Sequence, residues 1–150
     1  MNENFDANQQ ADELYMSLRT RLNDNPDDVN AAVGLGNIYY DANQPAQAIL
    51  YYRLALDIDP SQPAVMTDMG TMYWHNENIP QAECAYREVI KDYPGFGNAY
   101  LNLGYLLLHA KNQVPEARKI WTELITGWPE DPVAQKIREL LVETTFSDIN

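Results

Sequence analysis

Residues 69–73 read Met69-Gly70-Thr71-Met72-Tyr73; the same frame stands once before as Leu35-Gly36-Asn37-Ile38-Tyr39 and, at an equal interval, once after as Leu103-Gly104-Tyr105-Leu106-Leu107. A column of growing size, Ala32, Met66 and Tyr100, precedes the frame. Behind it come Ala48, Tyr52, Ala55 and Pro60, which recur as Ala82, Tyr86, Val89 and Pro94 and again as Ala117, Trp121, Leu124 and Pro129. A fixed period of this length marks stacked supersecondary units, none of which can bury its apolar face alone. In the third copy the last four positions fall one place later than the period requires, so that copy holds one extra residue, placed by this reading in the loop 111–114.

Each copy reads as a helical hairpin. Leu35, Ile38, Tyr39 and Ala42 keep the i, i+3, i+4, i+7 spacing of one helix face. Pro45, Pro80 and Pro115 stand where a second helix begins, because a missing N–H costs nothing in a first turn. Pro60, Pro94 and Pro129 end that helix, since the residue before proline is pushed out of the α region. Gly36, Gly70 and Gly104 fall inside the first helix, where glycine costs about 1 kcal/mol relative to alanine. Close approach of the paired helix, leaving no room for a side chain, is the expected reason.

The ends of the chain need covers. Pro26 lies one full period before Pro60, so the N-terminal segment ends as half a repeat, and its stripe Ala7, Ala11, Leu14, Leu18 and Leu22 predicts a helix that plugs the first copy. Asp131 is expected to cap a helix starting at Pro132, whose stripe Val133, Ile137, Leu140 and Leu141 covers the last copy. Phe146 and Ile149 lie beyond that stripe. The chain is read as one domain: an N-terminal helix over about 5–25, copies at 29–62, 63–96 and 97–130, and a capping helix over 131–146.

Composition removes several classes of function. The 150 residues carry a net charge of −12 and one cysteine, so general attraction to nucleic-acid phosphates or an anionic membrane face is disfavoured. The densest basic stretch holds only Lys111, Arg118 and Lys119, with Glu116 among them; no nucleic-acid partner is expected. The longest apolar runs fall far short of the roughly 20 residues that span a bilayer, and 1–10 is polar and acidic, without the basic and apolar regions of a secretory signal. A soluble segment is expected, cytoplasmic or periplasmic, or the soluble part of an anchored protein. There is no glycine-rich phosphate loop, nucleophile elbow or paired cysteine. His75 and His109 share one repeat place with Asp41, but two nitrogens and a carboxylate spread over three repeats make a poor metal site. Cys84 stands away from any His or Lys in sequence that could activate it. The expectation is a non-catalytic chain without cofactor or metal.

The order Leu-Gly-x2-Tyr, then Ala, an aromatic residue and Pro, at this period, resembles the tetratricopeptide repeat (TPR) over about Val29–Glu130. The resemblance implies an all-α, right-handed superhelical solenoid of about eight helices. It also implies a concave groove, lined by the lead helix of each repeat, that holds a peptide or partner segment. Carried over by repeat place, the groove residues are Asn37, Tyr40 and Asp41, then Asp68, Thr71, Trp74 and His75, then Asn102, Tyr105 and His109, with Thr67, Asn98 and Leu101 beside them. Tyr40 and Trp74 follow the core-column residues Tyr39 and Tyr73 by one helical step of about 100°, which turns them away from the core. The family's clamp for acidic chaperone tails needs Lys or Arg at places that hold Val33, Asn98 and Asn102 here, while Asp68 takes a second Asn place; only Asn37 matches. Neutral to basic protein or peptide ligands are therefore expected.

In size and layout the chain also resembles type III secretion chaperones. The phrases at 66–73, 102–109 and 117–124 resemble bacterial membrane-anchored TPR domains, including those of c-type cytochrome maturation. An adaptor or chaperone, monomeric or at most a homodimer until its ligand arrives, is the function implied; a self-assembling scaffold, forming homo-oligomers through its end helices, is the alternative.

Overall fold

The computed structural model describes residues 3–147, with side chains described for 9–145. The described residues are all helix and connection, without a strand. The helices are α1 (Glu3–Asp24), α2 (Val29–Asp41), α3 (Pro45–Ile58), α4 (Pro63–His75), α5 (Ile79–Asp92), α6 (Gly97–Tyr105), α7 (Val114–Gly127) and α8 (Ala134–Ser147), with a π-helical turn, Leu106–Ala110, continuing α6. They fall into two compact units, Met1–Val65 and Met66–Asn150.

In the first unit Asp28 starts α2 by accepting the Ala31 N–H at 2.9 Å, and Arg21 at the end of α1 grips the same carboxylate with two bonds of 3.0 Å. The Ala31 N–H, with help from Arg21, holds the Asp28 carboxyl below its ordinary pKa against the opposing pull of desolvation. Leu18 of α1 packs on Ala31 and Leu35 of α2, with Tyr15, Leu22 and Ile38 around them. A Cβ on Gly34 would come within 2.9 Å of the Leu18 side chain. The expected stripe on α1 is thus only partly used: Ala11 is exposed and Leu14 is 52% exposed, while Tyr15 packs in their stead; Ala7 lies outside the described side chains. Length explains the difference. Tyr15 already stands beside Tyr39, two residues before α2 ends, so the 22-residue α1 runs past its 13-residue partner.

In the second unit Ile137 and Leu140 of α8 join Tyr100, Leu103, Leu106, Leu107, Trp121 and Leu124 in one buried cluster, with Val133 and Leu141 packed against it. The C-terminal cover therefore uses the expected stripe. Its start differs slightly: Asp131 accepts the Val133 N–H at 2.9 Å, and the helix begins at Ala134. Arg118 of α7 fastens the far end by donating to Leu141 O, Thr144 Oγ1 and Thr145 Oγ1, each at 2.8 Å.

The glycine column has the expected steric basis in both units. A Cβ on Gly36 would stand 2.5 Å from the Tyr52 ring, one on Gly70 2.7 Å from the Tyr86 ring, and one on Gly104 would overlap the Trp121 indole. All three rings are buried.

The extra residue of the third copy is not in the loop 111–114. The turn after the lead helix is made by a residue with positive φ, namely Asn43 (50°), Glu77 (59°) and Asn112 (52°). The carbonyls of Tyr39, Tyr73 and Leu107 accept at 2.8 Å from the N–H groups of Gln44, Asn78 and Gln113, the residues that follow those turns. The insertion therefore precedes Asn112 and is absorbed in the π turn, where the Lys111 N–H reaches Leu106 O at 3.3 Å. Widening one turn takes up a residue while keeping the hydrogen-bonded ladder and the geometry of the next turn.

Candidate functional site

The lead helices are α2, α4 and α6, and the candidate residues divide between the two units. In the first, Asn37 is exposed on α2, Tyr40 is half-buried, and Asp41 is the exposed last residue of the helix. Asn37 Oδ1 accepts from the Tyr52 hydroxyl at 2.8 Å. The buried tyrosine of the second helix thus reaches past Gly36 and fixes the amide, turning its NH2 group outward as a donor.

In the second unit the same relation holds one repeat later, where the Tyr86 hydroxyl lies 3.0 Å from Thr71 Oγ1. Thr71 donates to Thr67 O at 3.3 Å and accepts from Asn102 Nδ2 at 3.4 Å. This network joins Thr71 and Asn102 and leaves Asn102 Oδ1 as the acceptor away from it. Thr67 is 3% exposed and is part of the interior, contrary to its expected place on the groove: α4 turns Thr67 inward and leaves the core-column residue Met66 half-buried. Asp68 is half-buried, and His75 is exposed at the end of α4. Trp74 is half-buried and packs against the core cluster, so its ring serves stability as well as any ligand.

The third copy is built differently. Trp121 replaces the tyrosine and its Nε1–H donates to Leu101 O at 3.3 Å. Tyr105, at the place of Asn37 and Thr71, meets Trp121 edge-on, with ring centroids 5.8 Å apart. His109 stacks on Tyr105 at 5.8 Å and 20°. The core hydroxyls of Tyr52 and Tyr86 were missed by sequence reasoning. Their signal was available, because Tyr52 follows Asn37 at the same interval as Tyr86 follows Thr71, but the reach of a buried ring through a glycine gap is visible only in three dimensions.

Charge is organised away from these residues. Glu83 is partly buried, which raises its pKa, but bonds from Lys111 at 2.7 Å and Arg87 at 2.9 Å more than offset this and lower it. Among the described residues no three His, Cys, Asp or Glu side chains gather as a metal site, and Cys84 is exposed and unbridged. Among them, too, no helix is long and apolar enough to cross a membrane.

A tetratricopeptide-repeat profile matches residues 17–63 and 67–132. The general transcriptional corepressor ssn6 of Schizosaccharomyces pombe is 31% identical over 79 residues, which are 53% of this chain and 7% of that protein, so the chain spans a small part of that relative's length. The structure of pilF from Pseudomonas aeruginosa superposes with a TM-score of 0.76 at 19% identity, over 95% of this chain and 63% of that one. The first TPR of Spaghetti (RPAP3), solved with the HSP90 peptide SRMEEVD, superposes with a TM-score of 0.69 at 19% identity, over 81% of this chain and 96% of that one.

Proposed function

Because this chain belongs to the tetratricopeptide-repeat family, we propose that it is a non-catalytic protein-interaction module, an adaptor or chaperone whose lead helices hold a peptide or partner segment. The carrying observation is that oriented amides stand three residues before half-buried tyrosines on those helices: Asn37 before Tyr40 on α2, and Asn102 before Tyr105 on α6. An amide offers a donor and an acceptor to a peptide unit, and partly exposed aromatic rings are the usual anchors of an interface. Asp41 belongs with the first pair, in the first unit, and Asp68, Thr71, Trp74, His75 and His109 belong with the second, in the second unit. The RPAP3 domain holds a peptide rich in acid. Here the places at which the family's clamp carries cations hold Val33, Asn98 and Asn102, so the ligand of this chain is neutral to basic. The narrower likeness to anchored bacterial domains of c-type cytochrome maturation rests on three short phrases and assigns no pathway.

The test is a pull-down with the purified chain and peptide mapping of what binds, followed by titration of that peptide at two salt concentrations. Trp74→Ala should cost about 2 kcal/mol of binding, roughly thirtyfold. The variant must still melt cooperatively, because Trp74 also touches the core. Unchanged affinity in a folded Trp74→Ala protein sinks the groove assignment. Sedimentation of the unliganded chain tests the scaffold reading, which Leu14 and Met16 on α1 and Val142 on α8 favour by standing exposed. Concentration-dependent growth beyond a dimer that Met16→Ser abolishes would establish it; the proposed adaptor stays monomeric or dimeric. Phe146 and Ile149 lie outside the described side chains.

A further inference from the structure

The second helices of the repeats carry a solvent-facing row whose chemistry changes along the chain. Leu50 on α3 stands where Cys84 stands on α5 and, past the extra residue, Lys119 on α7; Met16 on α1 holds the same place one period earlier. Leu50 is 64% exposed and Met16 60%. One turn further on, Arg19 and Arg53 share a place with Arg87. Arg87 is neutralised by Glu83 at 2.9 Å and lies 4.0 Å from Glu116, whereas Arg19 and Arg53 enter no ion pair among the described residues. One turn before Met16, Asp12 and Glu13 are exposed and equally without an ion pair among them; Glu13 accepts from the neutral Gln9 amide at 3.0 Å. The two helices are level with each other here. Tyr15, next to Met16, and Tyr51, next to Leu50, both lie on Tyr39, with ring centroids 6.2 and 5.6 Å away. Beside Leu50 a shallow hollow of about 490 Å³ is lined by Tyr51, Arg53, Leu54 and Asp57. The outer face of the first unit thus runs from acid through apolar to base along its helices.

We infer that this face pairs with the same face of a second copy of the chain, α1 on α1 and α3 on α3, antiparallel, with Met16 and Leu50 at the centre. The order of the bands decides the occupant. Turned end for end, the face is its own complement: the Arg19 and Arg53 end of one copy comes level with Asp12 and Glu13 of the other, while the apolar centre meets itself. A parallel pairing would lay arginine against arginine. Leu50 of each copy enters the hollow beside its counterpart. Asp57 comes level with Asn43, before α3 begins, and so lies outside the overlap. A contact of this symmetry closes at two copies. The matched band is only about two turns long on each helix, small beside the roughly 800 Å² per partner of a standard interface; the dimer is therefore weak, and salt screens its ionic part. None of the groove residues takes part, so the inference goes beyond the proposed function by giving the module a dimeric form of its own.

The test is sedimentation equilibrium of the full, unliganded chain up to about 1 mM. A monomer–dimer equilibrium without larger species is expected. Leu50→Ser should weaken it about tenfold or more, because the central side chain is lost from both copies; melting curves in dilute solution should not change, since Leu50 is exposed. Glu13→Arg and Arg19→Glu should each weaken it about tenfold by setting like charges together. An equimolar mixture of those two variants should recover the wild-type affinity, since every arginine at these places then faces a glutamate. A chain that stays monomeric, a dimer indifferent to Leu50→Ser, a mixture no tighter than its components, or growth past two copies would overturn the interface. No ligand enters these measurements, so loss of the dimer leaves the groove assignment standing, and normal peptide affinity in Trp74→Ala removes the groove and leaves the dimer.

Discussion

The first and third copies solve one packing problem with different residues. In the first, a tyrosine fills the gap over Gly36 and its hydroxyl emerges to hold the Asn37 amide. In the third, the larger Trp121 fills the gap over Gly104, its N–H is spent on the backbone at Leu101, and the surface place beside it is taken by Tyr105. The core ring thus decides what the lead helix can present. A phenol sets a polar, oriented amide at the surface, whereas an indole leaves an aromatic face, onto which His109 stacks.

The sharpest way to break this comparison is to fill the gaps. Gly104→Leu should destabilise by the upper part of the about 1 to 3 kcal/mol typical of overpacking, and Gly36→Leu by the lower part, measured by urea unfolding. Equal losses would show that ring size does not set the clearance.

A smaller effect should come from base. In the first unit Tyr39 stacks on Tyr51 at 5.6 Å and shares a 3.2 Å hydrogen bond with Tyr15; that bond, and then burial, push its pKa up to about 12. An unfolded tyrosine ionises near pH 10. The unfolded chain therefore loses this proton first, and the Tyr39 contribution to stability, intact below about pH 10, is lost as the pH rises toward about 12, whereas Tyr15, lowered by the same bond, acts with the opposite sign below about pH 10. Burial raises Tyr100 in the second unit with the same sign, so the readout is the difference between wild type and Tyr39→Phe, whose stability should fall less over this window. Parallel pH profiles would remove the tyrosine ladder as a special feature of the first unit.

The smallest effects should be at the turns. Glu77 holds a left-handed conformation that costs an ordinary residue about 1 kcal/mol or more, while asparagine tolerates it better. Glu77→Gly should raise stability by about 1 kcal/mol and Asn112→Gly by less than about half of that. A loss at Asn112 alone would mean that the turn after the π-helical segment is not equivalent to its counterparts.

The period, the apolar columns and the prolines were enough to place α2 to α7 and to identify the glycine column as a steric feature, because helix periodicity and the forbidden regions of proline are local properties of the chain. The covering stripe of α8 was legible for the same reason. Three matters were not. Which half of α1 packs depends on where α2 ends beneath it. The extra residue could be taken up at several adjacent positions of nearly equal cost; the choice fell to the hydrogen bonds that keep Asn112 in its turn and α7 in register. Which lead-helix groups remain available to a ligand depends on buried hydroxyls that arrive from the paired helix, through gaps that only the packed backbone opens.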